Sequence, residues 1–162
     1  MSEHVPVKDA VVRSLLQSVQ SELDAMEALA EMARDEATSS ETKAEGKYDT
    51  RATEAAYLAR GQAWRIAELR KLVAWLSTDS ANRALTEPVV QVGALVHLEG
   101  ARTEWFFVAP TGGKDTQVDG QTIHVISTAS PIGAAMVELQ AGDAFEVDTP
   151  RGVQDYEILA IL

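Results

Sequence analysis

Apolar residues between positions 9 and 37 recur with alternating gaps of four and three: Val12, Leu16, Val19, Leu23, Met26, Ala30, Ala33 and Ala37. A period of about 3.5 marks a coiled-coil seam. A second run keeps that spacing but puts its small residues first: Ala52, Ala55, Ala59, Gln62, Ile66, Leu69, Val73 and Leu76. If the chain folds back between the runs, alanine faces alanine near the turn, and leucine and valine meet at the far end. The pattern therefore predicts an antiparallel helical hairpin over residues 1–79 with a polar tip near 38–51. A dimerising coiled coil fits the same periodicity. Charge adds to the hairpin reading, because residues 9–36 hold seven acids and two bases while residues 51–76 hold five bases and two acids. An arm of ~26 residues at ~1.5 Å rise would be ~39 Å long.

Residues 77–88, STDSANRALTEP, show no period and end in proline, as a linker would. Beyond them the period falls to two. Val92, Ala94, Val96 and Leu98 alternate, and EWFFVA, QTIHVI, AFEV and DYEILAI follow, separated by Gly or Pro clusters. Pro150-Arg151-Gly152 should turn the last hairpin. One helix interrupts the strands at 131–139, capped by Ser130, begun by Pro131 and ended by Gly142. Residues 80–162 thus read as a small, mostly antiparallel sheet with one helix, and the whole chain as α+β.

Composition narrows the function. The chain of 162 residues is 46% hydrophobic and 24% charged, an ordinary globular balance. It contains no cysteine, which removes disulfides, thiolate metal sites and a cysteine nucleophile together. No apolar run reaches the ~18–20 residues of a membrane helix, and MSEHVPVKDA lacks the features of a signal peptide, so a cytoplasmic location is expected with no membrane partner. Net charge is −11, so a phosphate backbone would be repelled and direct DNA binding is not expected. A basic protein surface suits the chain better.

Candidate chemistry concentrates at the tip. Glu41, Glu45 and Asp49 alternate there with Lys43, Lys47 and Arg51 around Tyr48. Glu41 and Glu45 are four apart and would share a helical face, so they could hold Mg²⁺, an ion that takes oxygen ligands. The same acids also fit capping boxes, Thr38-x-x-Glu41 and Thr42-x-x-Glu45. His4, His97 and His124 are too scattered for a metal cluster, and His97 and His124 are expected to be half-exposed strand residues. Thr111-Gly112-Gly113-Lys114 lacks the spacing of a phosphate loop and reads as a hairpin loop. Trp64 and Trp75 are expected to be packing residues. No GxSxG nucleophile elbow occurs.

Two segments resemble the GreA/GreB group of bacterial transcript-cleavage factors. ISTASPIGAAMVELQAGDAFEVDTPRGVQDYEILAI is similar to that family's SP-x-[AG] helix, Gly-Asp turn, Pro-x-Gly hairpin and final Y-E-I-x-x-I strand. AEGKYDTRATEAAYLARGQAWRIAEL is similar to its E-Y-D-A stretch and G-R-I-A-E-L run. The resemblance implies a coiled-coil hairpin that enters the secondary channel of bacterial RNA polymerase, and an FKBP-like globular domain that docks on the channel rim. It implies a monomeric accessory factor without catalysis of its own. Tip acids, here Glu41 and Glu45 with Asp49, would share a Mg²⁺ with the polymerase, and Tyr48, Ser130, Pro131 and Ile132 would meet the partner. Counted back from Tyr48, Glu41 falls on the family's first acid and Ala44 on its second, with Glu45 one residue away. Occupying the channel without stimulating cleavage is the alternative. A prolyl isomerase is another, but it would need an aromatic pocket, and alternation sends Trp105, Phe106, Phe107, Phe145 and Tyr156 to different faces.

Overall fold

The computed structural model describes residues 4–41 and 50–162, with side chains outside 37–41 and 50–52. Two long helices, α1 (Lys8–Glu41) and α2 (Thr50–Leu76), precede a short 3₁₀ turn at Asp79–Ala81. Six strands and one helix follow: β1 (Leu95–Glu99), β2 (Thr103–Val108), β3 (Lys114–Val118), β4 (Gln121–Ile126), α3 (Pro131–Met136), β5 (Ala144–Thr149) and β6 (Gly152–Ile161). The chain forms two units, residues 19–73 and residues up to 18 together with 74–162. No described helix is long and apolar enough to cross a membrane.

Residues 19–73 make the helical arm. Val19 and Leu23 on α1 and Ile66, Leu69 and Leu72 on α2 are buried, and ion pairs join Glu22 to Arg65 (3.1 Å) and Glu27 to Arg70 (2.7 Å). Among the described residues the expected close meeting of alanines does not occur, and Ala37 and Ala52 lie outside the described side chains. Ala30, Ala33, Ala55, Ala59 and Ala63 line a cleft of about 670 Å³ between the helices, and Ala33, Ala55 and Ala59 are exposed. A methyl group offers too little apolar area to draw two helices together at the cost of their exposed charges. Trp64, expected to pack, is exposed, as are Tyr57, Leu58, Leu29 and Met32.

The globular unit is a six-stranded sheet in the order β3-β4-β2-β1-β6-β5. Four of its pairings are antiparallel, but β2 and β4 run parallel, because β3 forms a hairpin on the outer side of β4. The sheet is covered on both faces, and this dictates its central sequence. On one face Val96, Leu98, Phe106, Val108 and Ile158 join Val90 and Met136 of α3 in a core cluster. On the other, Leu95, Trp105, Phe107, Ile123 and Val125 are buried, Trp75 lies 5.9 Å from Phe107, and Ser14 on α1 bonds to Thr116 (2.7 Å). Every residue of β1 before Glu99 is consequently buried.

Several expectations change here. Leu15 and Val11, rather than Leu16, are fully buried near the start of α1, since that segment packs on the sheet's unit as well as following the seam. His97 is buried, stacked flat on its cross-strand partner Trp105 at 4.2 Å. The segment after α2 is no free linker: Ala81 is fully buried, Lys8 donates to the Arg83 carbonyl (2.9 Å) and Asn82 to Asp9 (2.8 Å). Lys114, read as part of a loop, opens β3. Helix α3 stops at Met136, three residues early. Val90 donates to the Leu139 carbonyl and Glu138 donates to the Val90 carbonyl, so the backbone after Met136 is taken up by pairing instead of helix. Glu138 adopts a positive φ of 68° to make that turn. The hairpin at Pro150-Arg151 turns between β5 and β6 as expected.

Candidate functional site

Two places carry the sequence-derived candidates. The tip acids Glu41, Glu45 and Asp49, with Tyr48, lie outside the residues whose side chains are described. What is described is their frame: α1 remains helical through Glu41, and α2 begins at Thr50. Among the described residues no group of three or more His, Cys, Asp or Glu is arranged to hold a metal ion.

The second place is the turn into α3. Ser130 has an extended backbone; its Oγ accepts from the Gly133 N–H (3.1 Å) and donates to the Ser127 carbonyl (2.7 Å). That is an N-cap satisfying one of the helix's orphan donors. Pro131 occupies the first turn and is exposed, whereas Ile132 turns inward against the core cluster. The turn is tight: a Cβ on Gly133 would sit 2.0 Å from the Ser127 carbonyl oxygen. Only glycine lets the helix start lie on the Ser127 backbone.

Beside this turn opens a cleft of about 470 Å³ lined by Phe106, Lys114, Asp115, His124, Ile126 and Ser130 among others. Phe106 and Ile126 give it an apolar floor. Its polar wall is His124, whose Nδ1 lies 3.0 Å from Asp115 and whose Nε2 lies 3.5 Å from Glu104, with the ring 5.1 Å from that of Phe106. Glu104 in turn pairs with Arg102 at 3.0 Å. Tyr156 has its phenol pushed above the ordinary range, mainly by burial and secondarily by the negative charge of Glu104. Such a cleft can seat an apolar side chain of another protein and surround it with polar partners.

The His124 constellation was not legible beforehand. It depends on β3, which places Asp115 directly opposite His124, and on the parallel pairing that sets Phe106 opposite the same histidine. KDTQV carries too few apolar residues to announce a strand. The alternation of QTIHVI was the available signal, since it puts His124 and Ile126 on one face and Ile123 and Val125 on the other.

Comparison with known proteins bears on the second place. Residues 85–162 match the family model "Transcription elongation factor, GreA/GreB, C-term". Transcription elongation factor GreA of Bartonella henselae is 34% identical over 97 residues, and that of Bartonella tribocorum is 34% identical over the same length. Each match spans 60% of this chain and 60% of the relative. Among solved structures, Gfh1 of Thermus aquaticus covers 90% of this chain at 21% identity, with 92% of its own length matched and a TM-score of 0.38. GreA/GreB of Nitrosomonas europaea covers 57% of this chain at 25% identity, with 77% of its own length matched and a TM-score of 0.35. Residues 85–162 are thus similar to a GreA/GreB C-terminal domain, and over 97 residues the chain is similar to GreA factors, of whose length it spans 60%.

Proposed function

We propose that this chain is a transcription factor that acts on bacterial RNA polymerase, an accessory protein without chemistry of its own. The observation that carries the reading is the match to a GreA/GreB C-terminal domain at residues 85–162 in the same chain as a helical arm, whose two helices end and begin within the polar segment 38–51. In this reading the arm, a coiled-coil hairpin, enters the polymerase secondary channel as a monomer in the cytoplasm. The FKBP-like globular unit docks on the rim through Pro131 and the cleft beside Ser130.

At the tip, Glu41 and Glu45, with Asp49 in reserve, would hold a Mg²⁺ shared with the polymerase; carboxylate oxygens are the donors this ion takes. When bound there, the ion supplies charge neutralisation and an activated water. The chain's own part is to carry carboxylates to a place they could not otherwise reach, with Tyr48 contacting the partner beside them. A channel occupant that does not promote cleavage is the second reading. It is favoured by Ala44, which stands where an ungapped count from Tyr48 calls for the second acid; a carboxylate displaced by one helical residue points ~100° away.

The test is a backtracked transcription complex supplied with Mg²⁺ and the purified chain, run alongside a pull-down of polymerase. Release of short 3′ RNA fragments, lost in Glu41→Ala/Glu45→Ala while binding persists, supports the cleavage reading. Binding without fragments supports the occupant. Absence of binding sinks both.

A further inference from the structure

Strands β2 and β4 run side by side but pair only from Trp105 and Ile123 onward. Before that point Thr103 and Glu104 pair with β1, while Gln121 and Thr122 pair with β3, so a gap is left between the two strand starts. It forms a cleft of about 270 Å³ lined by residues 102–105 with Gln121, Thr122 and His124. This cleft is short of hydrogen-bond donors. The Gln121 side-chain oxygen is buried and has no hydrogen-bond partner among the described residues. A buried acceptor without a donor is costly, and such groups are rare in native proteins. Beside it stands the Glu104 carboxylate. Arg102 Nε donates to its Oε1 at 3.0 Å, and His124 Nε2 lies 3.5 Å from that same atom. A carboxylate accepts at both oxygens, so Oε2 has room for a further donor.

We propose that this cleft binds an arginine side chain of a partner protein, whose guanidinium donates to Gln121 Oε1 and to Glu104. A guanidinium is a flat fork of N–H donors with no acceptor, so one group serves both oxygens at once. The chain's own Arg102 already shows Glu104 accepting a guanidinium here; its side chain is 82% exposed, and so open a pair is exchanged at little cost. Charge favours the same occupant. Asp115, 3.0 Å from His124 Nδ1, puts a second carboxylate on the far side of that ring. Lys114, its neighbour in β3, reaches instead to the Ser18 carbonyl on α1 at 3.5 Å. Past His124 the surface continues over Phe106 and Ile126, an apolar bed for the residues flanking the arginine. Free arginine fits less well, because its own carboxylate would face Glu104 and Asp115, whereas within a polypeptide that charge is replaced by an amide. The net charge of −11 draws a basic segment toward the chain. The site does not rest on the polymerase reading, and its test uses no polymerase.

NMR titration of the full chain with three probes tests this: N-acetyl-arginine N-methylamide, its neutral citrulline counterpart, and free arginine. The blocked arginine should move the Gln121 side-chain amide and His124 ring signals and saturate in the millimolar range. Citrulline, alike in shape but uncharged, should bind about tenfold more weakly, and free arginine more weakly than the blocked form. Glu104→Gln should weaken binding of the blocked arginine about tenfold. Gln121→Leu should weaken it too while leaving the melting temperature unchanged or higher, since an orphan acceptor is removed rather than a bond. Arg102→Ala, which takes away the internal competitor, should tighten it about threefold. The proposal falls if no saturable shift appears at Gln121 and His124, if citrulline binds as well, or if Glu104→Gln and Gln121→Leu leave binding intact. Tighter binding of free arginine than of the blocked form also overturns it, by making the occupant a small molecule.

Discussion

The arm and the globular unit solve burial in opposite ways. In the globular unit, strands β1 and β2 are covered on both faces, and Leu95, Val96, Leu98 and Phe107 have no exposed surface. Among the arm's described residues, burial is confined to Val19, Leu23, Ile66, Leu69 and Leu72, while Ala33, Ala55, Ala59 and Trp64 remain exposed. The two units spend similar residue types differently. Hydrophobic content alone therefore says little about where a chain stores its stability; a residue counts only if something lies on its other side. The arm leaves Leu29, Met32, Tyr57, Leu58 and Trp64 in solvent, whereas the central strands of the globular unit form a packed scaffold.

The sharpest test of that contrast is a pair of substitutions. Phe107→Ala, which empties a fully buried site beside Trp75, should cost about 3–5 kcal/mol in urea unfolding of the globular unit. Ala59→Ser on the open side of the arm should stay within about 0.5 kcal/mol. Equal effects would erase the distinction. Next in size is Ser130→Ala, which removes the cap of α3 and should lower stability by about 1 kcal/mol in thermal melts. An unchanged melt would free Ser130 from its structural duty and leave recognition as its only role.

The smallest expected effect is alkaline. Burial and the charge of Glu104 raise the Tyr156 phenol above its ordinary value of about 10. The folded chain then holds that proton more tightly than the unfolded one, so the contribution of Tyr156 is intact below the unfolded pKa and is lost as pH rises through the folded one. Absorbance titration should show a phenol ionising above the ordinary tyrosine range, and Tyr156→Phe should remove that step and flatten the alkaline loss of stability.

Much of the division between arm and sheet was legible in the chain, because the period changes from 3.5 to 2 near residue 90. What escaped did so for tertiary reasons. Strand β3 is polar because it is an edge strand with one covered face, and only Thr116 and Val118 are buried. The last turn expected of α3 is lost because residues 138 and 139 pair with Val90, a contact invisible to local propensity. His97 carries a polar ring yet is buried, because Trp105 lies flat against it. The start of α3 was legible through its Ser-Pro pair. Its neighbouring cleft was not, because His124 and Asp115 meet only through strand register.

Strand order has a consequence for how the protein is made. Strand β6 comes latest in sequence but sits inside the sheet, between β1 and β5, and Leu95 and Leu162 exchange both backbone hydrogen bonds. The start of α1, with Val11 and Leu15 fully buried, belongs to the same unit. The globular unit thus draws together residues from both sides of the arm, a closure over long sequence separation of the kind that slows folding. During synthesis residues 19–73 have all been made while β1 still waits for its second neighbour. A nascent chain stalled before β6 would display β1 as an open, largely apolar edge, the form most readily captured by chaperones or proteases.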